Sequence, residues 1–183
     1  MEYITKLIEK IAYKRGVNFN YYNTDAVISK LRESAPKSFF GRKISDIGCG
    51  DGVNTIKIAK VLKAIDVCGY DISMSLVDKA KDRGLKVVVV NRDEKITGDL
   101  GVLWGVVHHF ADPVEDMVKI VKNFKSFLIR EPTDRWRILE AGKRIPEPKM
   151  TNMVELVAKK CGKKVVKVLA NENQGKSVLY FIG

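Results

Sequence analysis

The stretch ISDIGCGDGVNT, Ile44 to Thr55, constrains this chain more than any other. It is a β-branched run that ends on an acid, followed by glycines at every second position, Gly48, Gly50 and Gly52, and then by the start of a helix. A strand that stops in glycines ahead of a helix is a ligand seat, because the missing side chains let a ligand approach the backbone and the amides of the first helical turn. Such a turn belongs at the carboxyl edge of an α/β sheet, so the rest of the chain should alternate strand and helix.

It does. Strands are predicted at Lys43 to Ile47, Ile65 to Tyr70, Leu85 to Asn91, Leu100 to Val107 and Lys125 to Arg130, most of them continuous apolar runs of the kind buried on both faces. Helices are predicted at Val53 to Leu62, Ser75 to Arg83 and Pro113 to Phe124. The last has Asp112 as cap, Pro113 at its first position and Glu115 and Asp116 in its first turn. Ahead of the sheet, Met1 to Arg15 places Ile4, Leu7, Ile8 and Ile11 at helical spacing, and Asn23 or Thr24 caps a second helix through Arg32 that Pro36 ends. After a loop from Pro132 to Pro148 come a helix at Thr151 to Lys160 and strands at Lys164 to Leu169 and Ser177 to Ile182. Too few residues separate these strands for a crossover, so they form an antiparallel hairpin. The expected fold class is α/β: a doubly wound, seven-stranded sheet, mostly parallel with the last strand antiparallel, in three α/β/α layers.

At 183 residues one domain is expected, 1–40 forming an amino-terminal helical lid and 41–183 the core. No apolar run approaches the roughly 20 residues that cross a bilayer, the first residues are amphipathic rather than signal-like, and a cytoplasmic protein is expected. Cys49, Cys68 and Cys161 are scattered, so neither a disulfide framework nor a metal site is indicated, and they read as small buried hydrophobes. The net charge of +11 lies in the flanks. Residues 1–45 hold nine Lys/Arg against four acids and 141–183 nine against three, leaving 15 and 15 between. A basic periphery suits RNA or another polyanion; it equally suits lysine-rich helices that keep a protein soluble.

The acid beside the glycines selects the ligand. Asp46 ends the strand at the mouth of the turn, where a carboxylate repels a pyrophosphate and receives an ammonium group. The spacing is not G-x-G-x-x-G, and no Lys-Ser/Thr pair follows. Asp71, at the end of VCGYDIS about 20 residues on, is suited to both hydroxyls of a ribose. Capping of the next helix is its other reading, with Ser73 and Ser75 as rival caps. A ligand with an amino acid at one end, a ribose in the middle and no phosphate is S-adenosylmethionine.

At these residues the sequence resembles the class I, Rossmann-like S-adenosylmethionine-dependent methyltransferases. ISDIGCGDGVNTIKIAK resembles their first motif, VCGYDIS their second, DLGVLWGVVHHFADP their fourth-strand motif with its His-His pair, and FLIREP their fifth strand. The resemblance spans Lys43 to Gly183. It implies that Asp46, Gly48, Cys49, Gly50 and Gly52 hold the methionine portion, Asp71 the ribose, Ile72 a face of the adenine, and Asn91 or Asp93 the adenine amino group. Trp104, Gly105 and Val106 would line the path of the methyl group. One departure is plain: about eight residues separate Asn91 from Asp99, too few for the usual helix between the third and fourth strands, which leaves the adenine side open.

Methyl transfer from a sulfonium is an in-line displacement that needs alignment, and needs a base only where the acceptor loses a proton. His108 and His109, the only histidines, are candidates for that base, with packing under the cofactor as the alternative. Arg130 and Glu131 end the fifth strand, and the loop beyond carries Arg135, Trp136, Arg137, Lys143 and Arg144, suited either to a nucleic-acid acceptor or to a packed lid. Tyr21 and Tyr22 either help close the cofactor pocket or pack in the core. The expected activity is S-adenosylmethionine-dependent methylation of a small-molecule acceptor. Methylation of RNA or tRNA, an inactive cofactor-binding partner subunit, and at greater distance an NAD-dependent oxidoreductase are the alternatives.

Overall fold

In a computed structural model, residues 24–91, 94–133, 145–172 and 175–183 are described. The amphipathic amino-terminal segment, Tyr21, Tyr22, Asp93 and the loop bearing Arg135, Trp136, Arg137, Lys143 and Arg144 lie outside them. The chain runs α1 (Asp25–Ser34), a 3-10 turn (Lys37–Phe39), β1 (Lys43–Ile47), α2 (Val53–Val61), β2 (Asp66–Asp71), α3 (Met74–Asp82), β3 (Val87–Val89) and β4 (Gly98–Trp104). A second 3-10 turn (Val107–His109), α4 (Pro113–Val121), β5 (Phe124–Pro132), α5 (Glu147–Lys160), β6 (Val165–Glu172) and β7 (Gly175–Ile182) complete it.

The strands form one sheet in the order β3-β2-β1-β4-β5-β7-β6. All neighbours are parallel except that β7 runs antiparallel to both β5 and β6. The order reverses between β1 and β4, and in such sheets the crevice outside the carboxyl ends at that reversal is where ligands bind. The glycine turn leaves β1 there.

Each face has its own apolar layer. On one, Val27, Ile28 and Leu31 of α1 and Ile58 of α2 pack with Ile44, Leu100, Val102, Trp104, Leu128 and Phe181. On the other, Met117 and Val121 of α4 and Met150, Val154 and Val157 of α5 cover Leu103, Phe127, Ile129 and Tyr180. Gly101 admits the Phe127 ring, which would overlap any Cβ there. Asp112 caps α4 as expected, accepting from the Glu115 amide at 3.1 Å. Helix α1 stops at Ser34 because Ala35, ahead of Pro36, is extended (φ −63°, ψ 131°).

Several boundaries differ from expectation. The valine run predicted as a long third strand pairs only over Val87–Val89, since β3 is the sheet edge and has a neighbour on one side alone. Strand β4 ends at Trp104, and Val107–His109 turn back as a 3-10 element. Helix α5 starts one turn earlier than predicted, at Glu147, because Pro146 and Pro148 occupy its cap and first turn, where no amide partner is needed. The hairpin pairs from Val165↔Ile182 as far as Glu172↔Gly175, so residues read as connection are strand. Cys49 is buried, but Cys68 and Cys161 are only partly so.

Among the described residues no helix joins β3 to β4, and the face of β1 to β3 opposite α3 is thinly covered as a result. Gly69 faces Cys49 and Leu85 on the α3 side, so Cys68 and Tyr70 point the other way, Tyr70 in register with Val88. Val88 is 40% exposed. Two substitutions test this asymmetry. Leu103→Ala, beneath α4, should cost ~2–5 kcal/mol in denaturant unfolding, while Val88→Thr should stay within ~0.5 kcal/mol of the parent.

Candidate cofactor and active site

The glycine turn is pinned onto the end of β2. The amides of Gly48 and Cys49 both donate to the Tyr70 carbonyl, at 2.7 and 3.1 Å, and the Gly50 amide donates to Asp71 Oδ2 at 2.8 Å. The backbone reaches this path only with left-handed φ at Gly48 (+77°) and Gly52 (+78°). Side chains are excluded for a second reason. A Cβ at Gly48 would lie 2.6 Å from Val106 Cγ2, and one at Gly52 2.8 Å from Leu85 Cδ2. Gly52 is the amino-terminal cap of α2, so the helix opens directly from the turn. Buried Asp51 is tied to Arg83, whose Nη2 lies 3.2 Å from Oδ2 and whose Nε donates to the Asp51 carbonyl at 3.1 Å.

Asp46 is 2% exposed. Its Oδ2 accepts from the Thr55 hydroxyl at 2.5 Å, and its Oδ1 is buried with no hydrogen-bond partner. Burial pushes this carboxyl up to about 7; the Thr55 hydroxyl opposes the rise and the neighbouring Asp71 charge adds to it. Leaving such an oxygen unmatched costs about 1–3 kcal/mol, which a ligand bearing a hydrogen-bond donor would recover. Burial also raises the Cys49 thiol, consistent with a packing role in the turn.

Asp71 is buried too, and both of its oxygens serve the backbone: Oδ2 takes the Gly50 amide and Oδ1 the Ser73 amide at 2.9 Å. The service to the helix start that had been set against the ribose role is therefore part of its work, while Ser73, the cap residue of α3, makes no side-chain cap bond. Burial raises the Asp71 carboxyl, against the lowering effect of the Ser73 and Gly50 amides. Beyond it Ile72 is 59% exposed, and Asn91 is exposed with its amide donating to Glu94 at 3.3 Å. The short connection thus leaves this side of the crevice open.

Across the reversal, the Gly105 amide donates to the Arg130 carbonyl at 2.7 Å and turns the chain off β4. Trp104 is buried at the strand's end, with the Arg130 guanidinium carbon 5.5 Å from its ring centroid. His108 Nδ1 makes a short contact with the carboxylate of Glu131, which is 1% exposed and also accepts from the Val107 amide at 3.3 Å. The His108 and His109 rings lie 4.0 Å apart. Sequence reasoning noted Glu131 but not its pairing, which follows from the register Trp104↔Arg130 between β4 and β5. It also missed Thr55, whose place one helical turn past the glycines was the available signal. Thr24, ahead of α1, donates to Asn54 Oδ1 at 2.8 Å and brings the amino-terminal helix to the same edge.

A carboxyl raised in the folded state binds its proton more tightly there than in the unfolded chain, so the stability it contributes is fully present below about pH 4 and is lost as pH rises toward 7. Asp46→Asn removes that loss. Its stability relative to the parent should rise through this window by a few kcal/mol, at ~1.4 kcal/mol for each pH unit the carboxyl is displaced. Denaturant unfolding at pH 4.5 and 8 checks this, and a pH-independent difference would contradict it.

Comparison with known proteins agrees with this geometry. A family model described as a methyltransferase domain matches residues 45–130, from within β1 to near the end of β5. Magnesium-protoporphyrin O-methyltransferase of Rhodobacter capsulatus is 30% identical over 121 residues, 66% of this chain and 48% of that protein. Probable tRNA methyltransferase 9B of Mus musculus is 30% identical over 129 residues, 63% of this chain and 27% of that one. The chain therefore spans about half the length of the first relative and about a quarter of the second. The crystal structure of the methyltransferase domain of bacterial CtHen1 superposes with a TM-score of 0.68 at 17% identity, over 90% of this chain and 99% of that domain, a likeness of fold. The glycine turn at the sheet reversal and the reversed last strand give the chain the class I, Rossmann-like fold of S-adenosylmethionine-dependent methyltransferases, and its residues 45–130 match a methyltransferase domain.

Proposed function

We propose that this chain, as a single catalytic domain, transfers a methyl group from S-adenosylmethionine to a small-molecule acceptor. The observation that carries the reading is the buried, unmatched Asp46 Oδ1 behind a turn whose alternate residues, Gly48, Gly50 and Gly52, carry no side chain. The residues fit that cofactor: an acceptor for its ammonium at Asp46, bare backbone at Gly48, Gly50 and Gly52 with the Cys49 side chain buried between them, the Asp71 carboxylate for the ribose, and exposed Ile72 for the adenine. A diphosphate fits poorly, since Asp46 and Asp71 are both buried against the turn. Asn91, Asp93, Trp104 and Gly105 complete the proposed cofactor contacts.

When bound, the cofactor supplies an electrophilic methyl group on a sulfonium. The chain's own part is to bind, to orient and to move a proton. The turn fixes the amino-acid end through Asp46, and Asp71 fixes both the turn and the ribose, so alignment is built into one hydrogen-bonded unit. For an acceptor that loses a proton, His108 is the proposed base rather than His109, because the buried Glu131 carboxylate holds its Nδ1 and stabilises a protonated ring.

The acceptor is proposed to be a small molecule because the described carboxyl edge carries Asp46, Asp51, Asp71 and Glu131, a poor lining for a polyanion. RNA is the second reading. The basic flanks favour it, and one relative is named a tRNA methyltransferase. The partly buried, unpaired cysteines suit a reducing, cytoplasmic setting, and no helix among the described residues is long and apolar enough to cross a membrane.

Calorimetry should show S-adenosylhomocysteine binding and no binding of NADH; the reverse removes the reading. Asp71→Ala should weaken S-adenosylhomocysteine ~10–100-fold, the worth of hydrogen bonds to a charged group. Elution from heparin at low salt is expected for a metabolite enzyme, whereas retention that falls steeply with salt would favour RNA.

A further inference from the structure

Among the buried polar atoms without a hydrogen-bond partner are two of opposite kind at the carboxyl edge of β1 and β4: Asp46 Oδ1, an acceptor, and Trp104 Nε1–H, a donor. They share a face of the sheet. Asp46 is in register with Val102, and Trp104, two residues further along β4, returns to the same side. That side faces α1 and α2, where Thr55 bonds Asp46 and Ile58 belongs to the same apolar layer as Trp104. With strands ~4.8 Å apart and ~3.3 Å of rise per residue, the two Cα atoms stand ~8 Å from one another across the sheet reversal. The buried Arg130, in register with Trp104 on β5, sets its guanidinium carbon 5.5 Å from the ring centroid.

We propose that Trp104 is a binding residue for the carboxylate of the cofactor's amino-acid end, its indole N–H donating to that group while Asp46 receives the ammonium. The inference rests on the cofactor reading above and adds the second half of the grip. Chemistry explains why the donor is an indole. A lysine or arginine at position 104, one strand from Asp46, would pair with its unmatched oxygen and close the seat against the ligand. A neutral N–H cannot neutralise Asp46, yet it still bonds an anion, and the nearby Arg130 guanidinium makes the surroundings of the ring favourable to a carboxylate. A zwitterion thereby satisfies both orphaned atoms at once, and a ligand lacking the amino-acid end satisfies neither.

The test separates the two ligand ends. Nitrogen-labelled indole resonances are followed by NMR in the full chain, Trp104 being told from Trp136 by a Trp136→Phe variant. S-adenosylhomocysteine should move the Trp104 N–H resonance strongly, and methylthioadenosine, the same thioether nucleoside without the amino acid, should leave it near its free position. In calorimetry, Trp104→Phe, which keeps a ring in the core and deletes the donor, should weaken S-adenosylhomocysteine about tenfold, one hydrogen bond to a charged group, and leave methylthioadenosine within about twofold. Equal movement of the resonance by both ligands, or equal loss of affinity for both, overturns the assignment. The NMR arm decides the matter should Trp104→Phe fail to fold. A parent chain that binds neither ligand overturns the cofactor reading itself, a distinct result.

Discussion

A carboxylate held out of water with one oxygen unmatched is the constraint around which this structure is arranged. Asp46 lies at the end of β1, and burial against the sheet reversal raises its carboxyl toward neutrality. A fold selected for stability alone would place an apolar residue there. The surrounding chain supports the strained choice: Thr55 at the start of α2 donates to one oxygen, and the three glycines keep side chains away from the other side of the turn. Local cost at a ligand seat, sustained by a well-packed frame, is the pattern expected of a functional site.

The frame transmits that arrangement through few links. Asp71 holds the Gly50 and Ser73 amides together, so the turn after β1 and the helix after β2 move as one piece. Because β1, β2, β4 and β5 are parallel, their carboxyl ends fall on a single edge, and Asp46, Asp71, Trp104 and Glu131 meet there although 85 residues separate the first from the last, 131 minus 46. His108 joins the group through Glu131. On the far side the short link between β3 and β4 leaves Ile72 and Val88 exposed, so the crevice is tight beside Asp46 and open at the other end.

Much of this was legible in the sequence, for identifiable reasons. Strand β1 matches its predicted bounds because a β-branched run bracketed by a basic residue and a glycine has one reading. Helix α4 was readable from Asp112 and Pro113, since caps act locally. The valine run of β3 was overextended because edge and interior strands share a composition and differ only in their neighbours. Asp71 was read for the ribose with helix capping as its rival; its bond to the Ser73 amide at the helix start was thus foreseen, whereas its bond to the Gly50 amide was not, because that partner depends on how the glycine turn folds over β2. The tie of His108 to Glu131 was not legible at all: two residues 23 apart meet only through the parallel register of β4 and β5.

The account stands on Asp46 being a receptor for a positive charge. The most direct measurement is a carbon-detected NMR titration of the Asp46 carboxyl in the free and the S-adenosylhomocysteine-bound chain. The account predicts a midpoint about 7 in the free protein and a carboxylate ionised well below that pH once the ligand's ammonium lies against it. A midpoint that the bound ligand leaves where it was, or moves higher, would contradict it.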